Sequence, residues 1–214
     1  MAKSSNKSMK KRLIIAFVII LGALLVLSLI TALIPYISEI FAPQDEEIIA
    51  EFNFYPADYK EDIYSDEEYM ALIKNGILKY NDGMGSITSI DVEDYKDSTN
   101  AEATLIKMVY SIVDGNNDKY NSYFSEEYYK KNQPKEKFTK QKIYDGTLTF
   151  FAAETVEDKN GSYNEYTFKL KYRIHENNGT FRKDIGDWSR TQYIVITDRD
   201  GKWLIDSIMY EKIK

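Results

Sequence analysis

Two aspartates and one histidine are the residues of this sequence that could take part in acid–base chemistry. Asp145 and Asp206 each interrupt an otherwise apolar segment, so either carboxyl could point into the protein interior near a tyrosine. Apolar surroundings raise the pKa of a carboxyl group toward values that suit catalysis. The simpler interpretation, which we favour, is a carboxylate in water at the edge of a sheet. His175, the single histidine, lies on the polar face of a predicted strand. We therefore expect no catalytic residue and no enzyme.

Two segments resemble calcium-binding loops, and neither satisfies the requirements of one. Residues 114–118 begin like an EF-hand, with oxygen ligands at positions 1, 3 and 5, but position 6 is Lys119 and position 12 is Ser125. An EF-hand needs glycine and a bidentate glutamate at those two positions. Residues 198–201 are too few for a cage and are typical of a hairpin turn. The chain has no cysteine, which excludes thiolate sites, so we expect neither a metal nor another cofactor.

Tyrosine is unusually frequent, with 18 residues. Tyr123, Tyr128 and Tyr129 form a group that could mark a partner or glycan surface, because tyrosine combines an apolar ring with a polar tip. In the alternative that we favour, these rings pack at the edge of the core with their hydroxyls in water.

A row of basic residues is the second candidate partner surface. Lys169, Lys171 and Arg173 alternate with apolar residues along one predicted strand. Such a row is typical of a solvated sheet face that discourages aggregation at the sheet edge. An acidic partner that docks there is the secondary interpretation.

Three helices are predicted after residue 64. Residues 65–68 and 99–102 have the S/T-x-x-E form of a capping box, and the second box opens an apolar stripe from Ala101 to Val113. The first helix is predicted to end at Asp82, since apolar residues up to Ile77 share one helical face. Residues 118–131 carry aromatic rings at helical spacing and predict the third helix.

From about residue 142 the hydrophobic period changes from 3.6 to 2. Residues 165–176 alternate strictly, with Phe168, Leu170, Tyr172 and Ile174 on the apolar side, as in a half-buried strand. Further strands are predicted at 143–156, 187–197 and 202–212. The fold class is therefore α+β, a roll of about three helices packed on a curved four-stranded antiparallel sheet.

This order of elements resembles the nuclear transport factor two-like (cystatin-like) superfamily. The resemblance covers residues 65–213, and its most specific part is the last hairpin, with Gly201, Lys202, Trp203 and Ile205 leading into a final apolar strand. It implies a cone between helices and sheet. The superfamily includes enzymes, ligand binders and scaffolds, so the resemblance alone does not choose among them.

The amino-terminal region predicts a membrane anchor. Residues 13–34 carry no charge and are long enough to cross a bilayer of roughly 30 Å. A cleaved signal is the alternative, but its apolar region is normally shorter and ends at small residues. Within the span, Ser28 and Ala32 form a small-xxx-small pair that could let another helix approach.

The charges around the span predict its orientation and the domain organisation. Five basic residues lie within residues 1–12, whereas all 34 acidic residues follow residue 34. Positive charge stays on the cytoplasmic side, so we expect a cytoplasmic tail at 1–12, a transmembrane helix at 13–34, a tether at 35–64 and an external domain at 65–214. The acidic balance of that domain argues against nucleic acid as a partner.

This layout resembles the bitopic assembly components of type IV secretion and conjugation machines. The resemblance lies in the architecture and in no matched motif residue. It implies a non-catalytic membrane-anchored scaffold subunit whose partners are other membrane or envelope proteins or further copies of the chain. The alternative is a membrane-anchored module of a bacterial surface protein that binds a small ligand or the cell wall.

Overall fold

The structure, a computed structural model, describes residues 54–159 and 161–211. The predicted cytoplasmic tail, the predicted span with Ser28 and Ala32, and residues 35–53 of the predicted tether lie outside these ranges. Within them, no helix has the length and apolar character needed to cross a bilayer. Ile63, near the end of the predicted tether, is fully buried in the core.

Four short α-helices occur in the described part of the chain: α1 (Glu67–Leu72), α2 (Ala101–Val113), α3 (Asn117–Asn121) and α4 (Glu126–Tyr129). Single 3-10 turns lie at Ile63–Ser65 and Val92–Tyr95. Helix α2 confirms the predicted helix, although its N-cap is Asn100, whose Oδ1 accepts a hydrogen bond from the backbone N–H of Ala103 at 2.8 Å. Its apolar stripe, with Leu105, Val109 and Ile112, packs into the core.

The predicted first helix is wrong beyond its first two turns. Asp66 caps α1 by accepting hydrogen bonds from the backbone N–H groups of Glu68 and Tyr69, but the helix ends at Leu72. Gly76 then has a φ of +91°, a left-handed conformation that glycine adopts without the steric cost that other residues meet. The chain turns there and continues as a strand.

The predicted third helix is also divided in two. Between α3 and α4 the chain runs beside the last strand, where the backbone N–H of Ser125 donates to the carbonyl of Ile205 at 3.0 Å and Ile205 donates to the carbonyl of Tyr123 at 2.9 Å. These bonds to a strand replace helical ones. Phe124 is thereby buried in the core.

The sheet has six strands in the described residues, in the order β2-β1-β3-β4-β5-β6. Their bounds are β1 Leu78–Asn81, β2 Ile87–Ile90, β3 Lys142–Asp158, β4 Gly161–His175, β5 Gln192–Thr197 and β6 Leu204–Tyr210. The prediction of a four-stranded antiparallel sheet is therefore wrong in two respects. Strands β1 and β2 were not predicted, and β1 pairs with β3 in parallel.

Gly146 allows the parallel contact between β1 and β3. Leu78 lies opposite Gly146, and a Cβ atom on Gly146 would lie 2.6 Å from the carbonyl oxygen of Ile77. Only a residue without a side chain permits this approach. The four strands β3 to β6 form the predicted antiparallel meander.

The predicted two-residue alternation of β4 is confirmed. Phe168, Leu170, Tyr172 and Ile174 are all at most 3% exposed. They face the same core as α2, because alternate residues of a strand point to one side of the sheet. The opposite side of β4 forms the outer face of the sheet.

Candidate ligand-binding cleft

A cleft of about 900 Å³ opens between the helices and the inner face of the sheet. Each neighbouring element contributes to its wall: Met108 and Ile112 from α2, Tyr120 and Tyr128 from α3 and α4, Tyr172 from β4, Gln192 from β5, and Ile208 and Tyr210 from β6. Two loops, residues 132–137 and 178–184, close the remaining sides. The volume is in the range of small-molecule sites.

Aromatic packing fixes the deep wall of the cleft. The rings of Tyr120, Phe138 and Phe181 contact one another edge to face, with centroid separations of 5.0 to 5.9 Å. Such pairs are stabilising beyond their buried area. The wall is therefore preformed.

Asn177 holds the loop that carries Phe181 and Arg182. Its buried amide nitrogen donates to the carbonyl oxygens of Ile185 at 2.7 Å, Gly186 at 3.1 Å and Arg182 at 3.2 Å. Its Oδ1 accepts from the backbone N–H of Gly179 at 2.9 Å. One side chain thus replaces the hydrogen-bond ladder that this loop lacks.

Arg182 places a positive charge in the cleft wall. It is only 5% exposed, and it donates from Nε and Nη2 to the two carboxylate oxygens of Asp184 at 3.2 and 2.7 Å. The guanidinium lies 5.3 Å from the ring centre of Tyr210. Among the described residues, its buried Nη1 has no hydrogen-bond acceptor.

The charged residues that line the cleft are mostly basic. Besides Arg182 they include Lys135, Lys137 and Lys183, against the acidic Glu136 and Asp184. This excess contrasts with the whole chain, whose formal charge is −6. Lys135 lies 4.7 Å above the ring of Phe181, and burial, together with the nearby charge of Arg182, lowers its pKa.

The tyrosine hydroxyls of the cleft are suited to hydrogen bonding and not to proton abstraction. Burial raises the pKa of Tyr120, Tyr128 and Tyr210 above the ordinary tyrosine value. These groups therefore stay protonated near neutral pH.

The predicted tyrosine surface is largely part of the core edge. Tyr123, Tyr128 and Tyr129 are half-buried and pack against the core. The hydroxyl of Tyr129 donates to the carbonyl of Asn121 at 2.8 Å. Of the three, only Tyr128 lines the cleft.

The two candidate aspartates lie outside the cleft. Asp145 is exposed at a β-bulge of β3, with a φ of +51°, and it lines a shallow depression on the outer face. Asp206 is paired with Arg199, with 3.3 Å between Oδ2 and Nη2. The structure therefore does not bring them together.

The basic row lies on the outer face of the sheet. Lys169 is held between two rings, 4.7 Å from the centre of Phe151 and 5.3 Å from that of Tyr193. Lys171 and Arg173 are exposed and line the same depression as Asp145.

One cluster has the residue types of a metal site. Asp66, His175 and Glu176 each bring a possible ligand atom within 4.8 Å of the others. The ammonium of Lys142 lies 2.6 Å from the carboxylates of Asp66 and Glu176 and 2.9 Å from that of Glu61. It occupies the place of a bound cation, so we assign the cluster a structural role.

The two segments that resemble calcium-binding loops use their polar side chains for hydrogen bonds within the protein. Asn116 caps α3 by accepting from the backbone N–H of Lys119 at 2.9 Å. Asp198 accepts from the backbone N–H of Asn164 at 2.7 Å, and its carbonyl closes the turn to Gly201. These interactions explain both segments as caps and turns.

Sequence reasoning did not identify the loop residues of the cleft. Residues 177–191 have no regular hydrophobic period, and Asn178-Gly179 was interpreted as a hairpin turn. The available signal was a lone Phe181-Arg182 pair inside a polar segment.

Comparisons of the chain with protein-family models, with curated proteins and with solved structures gave no match. The superfamily resemblance therefore stays a prediction.

Proposed function

We propose that this protein is a non-catalytic binding module that is anchored in a membrane by residues 13–34 and holds a small ligand in its cleft outside the cytoplasm. The observation that carries the proposal is the cleft itself. Its volume of about 900 Å³ and its aromatic rings are features of small-molecule sites, although polar groups form more of its lining than is usual for such sites.

The titratable groups of the cleft support binding over catalysis. General acid–base catalysis uses groups whose pKa lies near the working pH. The lining tyrosines have raised pKa values, and the hydrogen bond from Arg182 lowers the pKa of Asp184 despite the opposing effect of burial. The pKa values of these tyrosines and of Asp184 thereby move away from neutrality, whereas burial and then the charge of Arg182 lower the pKa of Lys135 toward it.

The experiment is to fill the cleft and measure ligand binding. Ile208 lines the cleft, whereas its neighbour Ser207 does not, because adjacent residues of a strand point to opposite faces. In ligand-observed NMR with a fragment mixture, we expect Ile208→Trp to abolish binding and Ser207→Trp to retain it. Equal binding by both variants, with both folded, would reject the cleft as the site.

A second candidate function is assembly with membrane partners, as in the bitopic subunits of conjugative type IV secretion machines. The observation that favours it is the outer face, where Phe151 is 55% and Trp188 is 72% exposed beside the basic row. Aromatic residues and arginine are enriched in interfaces, whereas lysine is depleted, so Phe151, Trp188 and Arg173 carry this hypothesis.

The assembly hypothesis has its own test in the native host. Phe151→Glu should weaken co-purification with membrane partners, because it places a charge among the apolar contacts of the outer face. Met84→Glu, at an exposed turn between β1 and β2, is the control. If both variants recover the same partners, the outer face is not the interface.

A further inference from the structure

The guanidinium of Arg182 has one donor group left over. The planar fork of arginine presents its N–H groups in fixed directions. Asp184 accepts from Nε and Nη2, so Nη1 points away from this carboxylate. It is buried with no acceptor among the described residues.

A buried unpaired donor is costly, and the cost is larger for a charged group. The positive charge of Arg182 lies in the wall of the cleft, where it would attract a ligand of opposite charge. A guanidinium interacts most strongly with an anionic oxygen, because charge-assisted hydrogen bonds to carboxylates and phosphates are stronger than neutral ones.

Lys135 adds to the positive potential beside Arg182. Its ammonium stacks on Phe181, and no carboxylate of the described residues forms an ion pair with it. Asp184 also pairs with Arg190, with 3.4 Å between Oδ2 and Nη1, so its single negative charge is shared between two arginines, and its side chain is 50% exposed. An anion in the cleft would compensate the remaining charge.

Aromatic rings form part of the remaining wall. Tyr120, Tyr128 and Tyr172 line the cleft, and Tyr120 and Tyr172 are at most 8% exposed. Their rings present apolar area at low entropic cost, which suits the uncharged part of a ligand.

We propose that the ligand is an amphipathic organic anion: its carboxylate or phosphate is held by the positive charges of Arg182 and Lys135, and its apolar part packs against the tyrosine rings. This inference rests on the proposed function, because it names the ligand class of the same cleft.

The test compares three probes with one ring system: naphthoate, naphthyl phosphate and the neutral naphthamide. Their affinities are measured by ligand-observed NMR on the full-length protein in non-ionic detergent, with empty micelles as the blank. At least one anion should bind about ten-fold or more tightly than naphthamide, because the charged group interacts favourably with Arg182 and Lys135. Whichever anion binds more tightly distinguishes a carboxylate ligand from a phosphate ligand.

Two substitutions and a control locate the anion. Arg182→Gln should reduce both anions to the affinity of naphthamide, whereas Lys171→Gln, on the outer face, should change nothing. Because Arg182→Gln could disturb the loop through Asp184, Lys135→Gln provides a second variant. It should weaken anion binding by a smaller factor and leave naphthamide unchanged.

The outcomes separate this inference from the proposed function. Equal affinity of all three probes for the unmodified protein, or an anion preference that survives in Arg182→Gln, overturns the inference and leaves the cleft as a binding site. No binding by any probe, or binding that persists in Ile208→Trp, overturns both.

Discussion

Among single residues, the buried charged side chains constrain the fold most strongly, because each needs a partner of opposite charge. Lys142 is the clearest case, because its side chain is 8% exposed and contacts three carboxylates. Burial alone would lower its pKa, but the hydrogen bonds to Asp66, Glu176 and Glu61 raise the pKa above the ordinary lysine value. The same ammonium links the segment before α1 to the start of β3 and the end of β4.

Removal of this ammonium should destabilise the domain. Lys142→Met leaves three partly exposed carboxylates without their cation. The cost should exceed the roughly 0.2 to 1 kcal/mol of an exposed pair and stay below the roughly 3 to 5 kcal/mol of a fully buried one. Lys171→Met, at an exposed position, should change the free energy of unfolding by less than about 0.5 kcal/mol. Denaturant unfolding measures both, and similar values would contradict the structural role of Lys142.

The same cluster predicts a dependence of stability on acid pH. The hydrogen bond from Lys142 and then the backbone N–H of Tyr69 lower the pKa of Asp66. A carboxyl whose pKa is lower in the folded state stabilises the fold above its unfolded pKa of about 3.9. This contribution is lost as the pH falls through the folded pKa.

Asp66→Asn isolates this contribution. The difference in free energy of unfolding between the unmodified protein and Asp66→Asn should be constant near neutral pH and shrink below about pH 4. Urea unfolding at a series of pH values measures the difference. A difference that grows as the pH falls would show that the pKa shift has the opposite sign.

Among the helices and strands, the sequence predicted the features that depend on residues close together in the chain. The apolar stripe of α2 and the alternation of β4 depend on residues within one element, and both are confirmed. The predicted capping box of residues 99–102 is wrong, because Asn100 is the N-cap. Strand β1 was missed because Ile77 also fits a helical face with Tyr69 and Ile73, and its pairing partner, Gly146, is distant in the sequence. Pairing between strands that are far apart in the sequence produces no periodic pattern from which it could be predicted.

For the same reason, the sequence predicts the sheet wall of the cleft and not its loop wall. Its sheet wall follows from the inward face of β4, which the alternation predicts. Its loop wall depends on Asn177, whose buried amide organises the segment around Arg182, and no short-range rule identifies such a residue. The divided third helix likewise depends on contacts with Ile205.

The register of β4 can be tested by one pair of substitutions. Leu170→Ala removes a fully buried side chain and should lower the free energy of unfolding by about 2 to 5 kcal/mol. Lys171→Ala, the next residue on the opposite face, should have an effect within about 0.5 kcal/mol. Equal effects in chemical denaturation would mean that the register is wrong.

At the scale of the whole molecule, an acidic chain contains a basic cleft. The formal charge of −6 repels anions in general, whereas Arg182 and the neighbouring lysines attract them at one place. Selective binding of an anion is then a property of the cleft and not of the surface as a whole.

The proposed orientation in the membrane predicts where the domain works. Because basic residues flank the span only on its amino-terminal side, a reporter fused after Lys214 should be active if it requires an environment outside the cytoplasm. The protein should be found at full length in the membrane fraction. Activity of a cytoplasmic reporter, or a chain cut near residue 35, would contradict the anchor.

Native mass spectrometry of protein purified from its own host would show whether the cleft holds a small ligand. The spectrum should show an additional bound mass on the unmodified protein and on Ser207→Trp, and this mass should be missing from Ile208→Trp. A bound mass that remains on Ile208→Trp, or no bound mass on any of the three proteins, would contradict the account.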